Sequence, residues 1–303
     1  MTGCITVFGG TGFIGRHLVP LLLQSGATVR LAVRHPAWVK VAAEPASALE
    51  VVQADVLHDT TVGAAIAGTD AVFNLVGILT ETTTQTYHDI HVEGARRVAL
   101  AAQRHGVMRL IHISALGASL TSPAISDRTK AEGEEAVRAV FPQATIVRPS
   151  LRYGEDDHFF TRFVAMIRSS PVLPLIGGGR TKFQPVFVGD MTAGLLELVK
   201  RTDTVGKTYE FGGPQVYSFK MLLELLLTAL NRQRVLLPIP FALAEMQAGL
   251  LELLPNPPLT RDQVRLLKTD KVVSGVEPIL GDLGVQPRPL EEFLAMVKDK
   301  YAH

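Results

Sequence analysis

The segment CITVFGGTGFIGRHL, beginning at Cys4, is a β-branched run that breaks into glycine and resumes as an apolar helical pattern. No other stretch restricts the fold as much. Gly9 permits a tight turn, Gly12 leaves bare backbone facing outward, and Gly15 lets the helix lie close to the strand. A helix opening at such a turn offers unpaired N–H groups, and the positive end of its dipole, to an anion. Glycine turns are common, so the triplet gains meaning from the strand before it and the helix after it.

That context repeats along the first half. TVRLAV, LEVVQA, AVFNLV, RLIHIS and ATIVRP are short apolar runs separated by helical segments or turns. Unbroken apolar strands joined by helices predict a parallel sheet covered on both faces. Gly26 and Gly106 follow two of the helices, and Pro142 stops a third. The predicted fold is α/β, a Rossmann-type doubly wound parallel sheet with a smaller, mostly helical C-terminal lobe. The sheet domain is placed at 1–155, with 184–214 returning to it. The lobe is placed at 156–183 and 215–303.

Composition removes several classes of function. The 30 Lys and Arg residues against 29 Asp and Glu leave a net charge of +1, so no basic field favours nucleic acid. One cysteine, Cys4, cannot form an intrachain disulfide, which fits a reducing compartment. The first strand begins within a few residues of Met1, leaving no room for a signal peptide, so a cytoplasmic location is expected. No apolar run is long enough to cross a bilayer. The mean hydropathy is nonetheless +0.23, high for a free soluble enzyme.

The strand ends choose the ligand. A dinucleotide pyrophosphate suits the turn formed by Gly9, Thr11, Gly12, Phe13, Ile14 and Gly15. An acidic residue at the second strand's end would bind the ribose hydroxyls of NADH, but the chain reads LAVRHP there. Arg34 has a planar fork that matches a 2′-phosphate, so NADPH is expected over NADH. The alternative is a solvated strand-end arginine. Asp55 and Val56 end the third strand where an adenine edge would lie, although Asp55 could equally cap the next turn. Asn74, Val76 and Gly77 end the fourth, and Gly77 would let a ligand approach closely.

GGTGFIG, NLVG, RLIHISALGA, the lysine of SDRTK, ATIVRPS and FVGDM together resemble the short-chain dehydrogenase/reductase superfamily, in its extended or atypical branch. HVEGARRVALAA, TKAEGEEAVRAVFPQATIVRPS, KFQPVFVGDM and LLPIPFALAEMQ narrow the resemblance to the nucleotide-binding accessory subunits of respiratory complex I and their bacterial relatives. The resemblance implies a tightly held NADPH that serves structure more than turnover. It also implies a partner, a membrane-bound respiratory or quinone-biosynthesis complex, and a peripheral place on the inner side of a respiratory membrane.

It raises a question about chemistry as well. Lys130 stands in the first turn of a predicted helix, where the superfamily's lysine binds the nicotinamide ribose and lowers the pKa of a tyrosine four residues earlier. Here that position is Ser126. A serine alcohol lacks the phenol's aromatic stabilisation and its reach, so Ser126 cannot take over the acid's role. Ser114 falls where the superfamily places its substrate-binding serine. Tyr153, at the carboxyl edge of the sheet, could bring a phenol toward the nicotinamide or could pack in the wall. Two readings stand: an accessory NADPH-binding protein, and an NADPH-dependent reductase or epimerase acting on a small isoprenoid- or quinone-like carbonyl substrate. His88, His91 and His112 lack metal-ligand spacing, and no metal is expected.

The C-terminal part reads as a helix through HFFTRFVAMIRSS, a glycine turn at 177–179 and a strand KFQPVFV that could join the main sheet. Asp190 and Ser218 look like helix N-caps. The 235–255 stretch is apolar on most faces. It would either cover the active-site mouth or dock on a membrane or a membrane-bound partner.

Overall fold

The computed structural model describes residues 3–39, 46–255 and 257–302, with side chains for 3–39, 47–255 and 257–296. Strands β1 (Cys4–Phe8), β2 (Thr28–Val33) and β3 (Leu49–Gln53) alternate with helices α1 (Phe13–Gln24) and α2 (Asp59–Ile66). Then come β4 (Ala71–Asn74), α3 (Ala95–Arg104), β5 (Arg109–Ile113), α4 (Ile125–Val140) and β6 (Thr145–Pro149). A π-helical turn, His88–Gly94, leads into α3.

The lobe begins with β7 (Arg152–Tyr153), α5 (His158–Ser169), β8 (Val172–Ile176), β9 (Lys182–Phe183) and β10 (Val186–Phe187). It is followed by α6 (Val188–Lys200), β11 (Thr208–Phe211), β12 (Tyr217–Ser218) and α7 (Phe219–Ala229). The chain ends with β13 (Val235–Ile239), α8 (Phe241–Leu251), α9 (Arg261–Leu266) and α10 (Leu290–Ala302).

Seven parallel strands form the main sheet in the order β11-β6-β5-β4-β1-β2-β3. Two apolar layers cover its faces. Leu18, Leu22, Leu195 and Leu198 of α1 and α6 lie in one, and Ile66, Val98, Ala102 and Val137 of α2, α3 and α4 in the other. Strand order reverses between β1 and β4, so both carboxyl ends open onto one crevice, the place where such sheets bind ligands. A third core of Phe160, Leu173, Leu222, Leu226 and Phe293 fills the lobe.

Two expectations for the lobe are corrected and one holds. KFQPVFV does not enter the main sheet: Pro185, which has no N–H to give, splits it into β9, paired with β12, and β10, paired with β7. The seventh strand is β11, beside β6. Asp190 lies inside α6 rather than at its N-cap, and its carboxylate accepts the Arg288 N–H at 2.7 Å. Ser218 does cap α7, accepting from the Met221 N–H.

Candidate functional site

At the β1–α1 turn the Gly12 N–H donates to the Gly9 carbonyl at 3.0 Å. Gly9 holds φ +75°, and a Cβ there would lie 3.0 Å from the Leu75 backbone at the end of β4. The two strand ends flanking the crevice therefore nearly touch. A Cβ on Gly15 would come within 2.3 Å of Gly10, so helix and turn need glycine to pack. Gly12 is different. Its φ of −75° and ψ of 179° suit any residue. An added Cβ would meet only the Gly9 oxygen, at 3.2 Å, and otherwise open space. Helix α1 has neither a side-chain cap nor an acidic residue in its first turn, so the N–H groups around Phe13 and Ile14 stay free for an anion. Thr11 and Gly12 are exposed at the same turn. The fit to a pyrophosphate is good.

A cavity of about 330 Å³ opens beside it, lined by Arg34, His35, Gln53, Asp55, His58 and Thr61 among others. Arg34 is exposed. Asp55 caps its own turn, its Oδ1 accepting the Leu57 N–H at 3.0 Å, while still lining the cavity. Val56 is buried against Gly94. Asn74 is buried too, and its amide is spent on structure. Nδ2 donates to His112 Nδ1 at 3.2 Å, and Oδ1 accepts the Val76 N–H at 3.3 Å. Asn74 thus shapes the strand end rather than reaching outward. Gly77 is exposed, with only His91 Nε2 within van der Waals reach of an added Cβ.

The other end of the crevice is built on α4. That helix starts at Ile125, which puts Lys130 in its second turn rather than its first. Burial lowers the Lys130 ammonium to a pKa of about 8; Arg152 and Lys271 push the same way, and Asp127 opposes them. Ser126, one turn earlier, is 3% exposed and Ser114 4%. Neither hydroxyl has a partner among the described residues. Ser114 is fixed through its backbone, whose N–H donates to the Val147 carbonyl at 2.7 Å.

Tyr153 does not face this cleft. Its ring is buried among Phe160, Phe187 and Phe293 in the lobe, and its hydroxyl donates to the Arg288 carbonyl at 2.8 Å. A second phenol, Tyr87, stacks on His91 and donates to the Leu79 carbonyl at 2.9 Å. His91 is neutral, its pKa lowered to about 3 chiefly by burial. Its Nε2 accepts the Ile78 N–H at 3.3 Å, so Nδ1 carries the proton and donates to Thr129 Oγ1 at 3.0 Å. Gly133 lets α4 approach: a Cβ there would lie 2.0 Å from the His91 carbonyl. Among the described residues no group of three or more His, Cys, Asp or Glu is placed to hold a metal ion.

Three residues of this end went unnoticed in the sequence. Asp262, from α9, accepts the Ile125 and Ser126 N–H groups. Lys271 forms an ion pair with Asp127, both largely buried. Arg152 of β7 lies near Lys130. Only Asp262 had a signal, and that signal lay at the start of α4 rather than in its own segment. Ala124 stands at the N-cap of α4 and has no acceptor to offer, so the helix's first N–H groups needed one from elsewhere.

Residues 9–158 match the family described as NAD(P)H-binding. Subunit 9 of the NADH dehydrogenase [ubiquinone] 1 alpha subcomplex from Arabidopsis thaliana is 34% identical over 95% of this chain and 75% of its own length. The ceramide reductase of Caulobacter vibrioides is 32% identical over 67% of this chain and 63% of its own. The structure of an Escherichia coli NADPH-dependent quinone oxidoreductase with NADPH superposes with a TM-score of 0.75 at 19% identity, over 98% of this chain and 99% of that one, and shows the fold. A glycine turn at the switch point, an uncapped helix behind it and a relative matched over 95% of this chain lead to one assignment: the chain belongs to the NAD(P)H-binding family of short-chain dehydrogenase/reductase fold that includes alpha subcomplex subunit 9 of NADH dehydrogenase [ubiquinone].

Proposed function

We propose that this chain holds NADPH as a structural or sensing ligand, in an accessory role linked to respiratory complex I or quinone metabolism. One observation carries the reading. The glycine turn and the uncapped start of α1 suit a dinucleotide, while the position one turn before Lys130 holds a buried serine. Bound there, NADPH would supply a transferable hydride. The chain's own residues would place the pyrophosphate on α1 and the 2′-phosphate at Arg34. Lys130 would hold the nicotinamide ribose, and nothing that Ser126 offers would deliver a proton at neutral pH. The reductase reading draws support from the ceramide reductase relative. The deciding experiment assays purified protein for bound NADP(H) and for its oxidation by quinones and small carbonyl compounds. Retained nucleotide without turnover is expected, and brisk oxidation would establish the reductase instead.

The accessory role also calls for a docking surface, and 235–255 supports one. Val235, Leu237, Leu243, Met246, Leu250, Leu253 and Leu254 are all exposed there, Leu253 to 82%. Among the described residues no helix is long and apolar enough to cross a membrane, so the proposed attachment is peripheral, to a respiratory membrane or a complex bound to it. Leu250→Glu with Leu253→Glu is expected to move the protein into the soluble fraction of a cell lysate. An unchanged distribution would remove this part of the proposal.

A further inference from the structure

The nicotinamide end of the crevice holds a cation that its own protein leaves unanswered. Arg152 sits on β7 directly before Tyr153, and successive strand side chains point to opposite sides. Tyr153 turns into the lobe core, so Arg152 turns the other way. It is drawn far enough out of water that burial lowers its guanidinium pKa. A guanidinium carries five donors. Among the described residues, no carboxylate or carbonyl accepts from Arg152, whereas Arg148, Arg201 and Arg261 all have ion-pair partners. The Arg152 side chain is partly buried, and a cation drawn even partly out of water without a partner gives up hydration that nothing replaces.

Its surroundings sharpen the point. Lys130 lies close enough to feel the Arg152 charge. The carboxylate nearest by chemistry, Asp127, is already bound to Lys271, and Asp262 is spent on two backbone N–H groups at the start of α4. The hydroxyls of Ser114 and Ser126 are buried with no partner. The result is an excess of positive charge around Lys130, one turn along α4 from the unpartnered Ser126 hydroxyl.

We propose that Arg152, with Lys130 and the hydroxyls of Ser114 and Ser126, receives the phosphate or carboxylate group of a second ligand that binds beside the dinucleotide. The fork of Arg152 suits two oxygens of such a group at once. The inference rests on the reading that the dinucleotide fills the glycine-turn half. The group could come from a free small anion or from the headgroup of an amphiphile, and the chemistry that recognises it is the same.

The test uses the full chain saturated with NADPH, so that phosphate cannot occupy the cofactor's own sites. Its melting temperature is followed against added inorganic phosphate, and separately against dihexanoyl phosphatidic acid, at ionic strength matched with sodium chloride. Wild type is expected to be stabilised saturably. Arg152→Gln is expected to bind the anion roughly ten- to hundredfold more weakly, the range for hydrogen bonds to charged groups, and Arg152→Lys to recover part of the loss. If Arg152→Gln does not fold, Arg152→Lys against wild type makes the same comparison. Stronger binding of the phosphatidic acid than of phosphate would identify a lipid headgroup as the source. An equal response would identify a free anion. A loaded wild type indifferent to both probes would overturn the inference. So would an Arg152→Gln variant that responds like wild type, or one that loses NADPH affinity instead. NADPH binding is read independently from the fluorescence of Trp38, the one tryptophan, which is exposed and lies against His35 of the adenosine cavity. A wild type that never binds NADPH would thus count against the proposed function, and bound NADPH without an anion response against this inference alone.

Discussion

The two ends of one crevice are built on different plans. At the adenosine end the backbone is bare, α1 is uncapped, and Arg34 stands exposed beside a cavity. At the nicotinamide end the polar groups have mostly found one another: Lys271 with Asp127, Asp262 with the start of α4, His91 with Thr129 and Ile78. The first end is prepared for a ligand. The second is a tied network in which, among the described residues, Lys130, Arg152, Ser114 and Ser126 have no hydrogen-bond partner. On the proposed reading, binding and chemistry part company within a single fold, since affinity for a dinucleotide would depend on the first end and proton transfer on the second.

The largest effect should come from Gly12. An added side chain is accommodated with a small local shift, because the local backbone is extended and a Cβ meets only the Gly9 oxygen, at a tight 3.2 Å. It would instead fill the space through which a pyrophosphate approaches. Gly12→Val is expected to lower NADPH affinity by about a hundredfold or more, the scale of losing several charge-assisted contacts, with the melting temperature of the free protein lowered only slightly. Full affinity in a fluorescence titration would move the dinucleotide away from this turn and erase the contrast between the two ends.

Arg34 comes next. Arg34→Ala should weaken NADPH by roughly ten- to hundredfold, as expected for a lost pair of charge-assisted hydrogen bonds. NADH, which lacks the 2′-phosphate, should bind as before. Parallel titrations with both nucleotides check this. An equal loss for each would make Arg34 a general electrostatic contributor, with no preference for NADPH.

Much of this contrast was legible in the sequence, but not evenly. The sheet and its switch point follow from strands that are apolar throughout and from glycines at their ends, both local signals. Gly9, Gly12, Gly15, Arg34 and Asp55 are likewise set by their place at strand ends. The nicotinamide end was only half readable. Ser126 and Lys130 share one helix and could be paired by spacing. Lys271 and Asp262 come from the lobe, more than 130 residues later in the chain, and nothing in their own segments marks them. KFQPVFV misled because its alternation reads as one strand, while Pro185 breaks the ladder.

Lys130 yields a smaller effect that depends on pH. Its folded pKa is lowered from 10.5 to about 8. The folded chain therefore sheds this proton before the unfolded chain does. The penalty for keeping the ammonium charged is fully present below about 8, fades as pH rises from 8 through 10.5, and is gone above that, where both states are neutral. A ligand that needs the ammonium behaves in the opposite way. NADPH affinity is expected to fall severalfold as pH rises through 8, since the neutral amine loses the charge that attracts the nucleotide. Lys130→Met should bind more weakly at neutral pH and show no such slope. If wild type and variant had the same profile, Lys130 would not face the nucleotide, and the nicotinamide end would be closed to it.

The smallest change expected is at Tyr153, and it bears on whether the second end does chemistry at all. Tyr153→Phe keeps the ring among Phe160, Phe187 and Phe293 and removes one hydrogen bond to the Arg288 carbonyl. The loss in stability is expected to be about 1 kcal/mol, the usual net value of a neutral hydrogen bond, and thermal unfolding measures it. Any NADPH oxidation should be unaffected, because burial raises the phenol's pKa and the lobe holds it away from Lys130. A working acid at this position would need the opposite on both counts: a pKa brought down toward neutrality and a hydroxyl within reach of the nicotinamide. A large fall in turnover would therefore mean that Tyr153 leaves its packing when substrate enters. The contrast between a prepared end and a tied one would then describe only the resting protein.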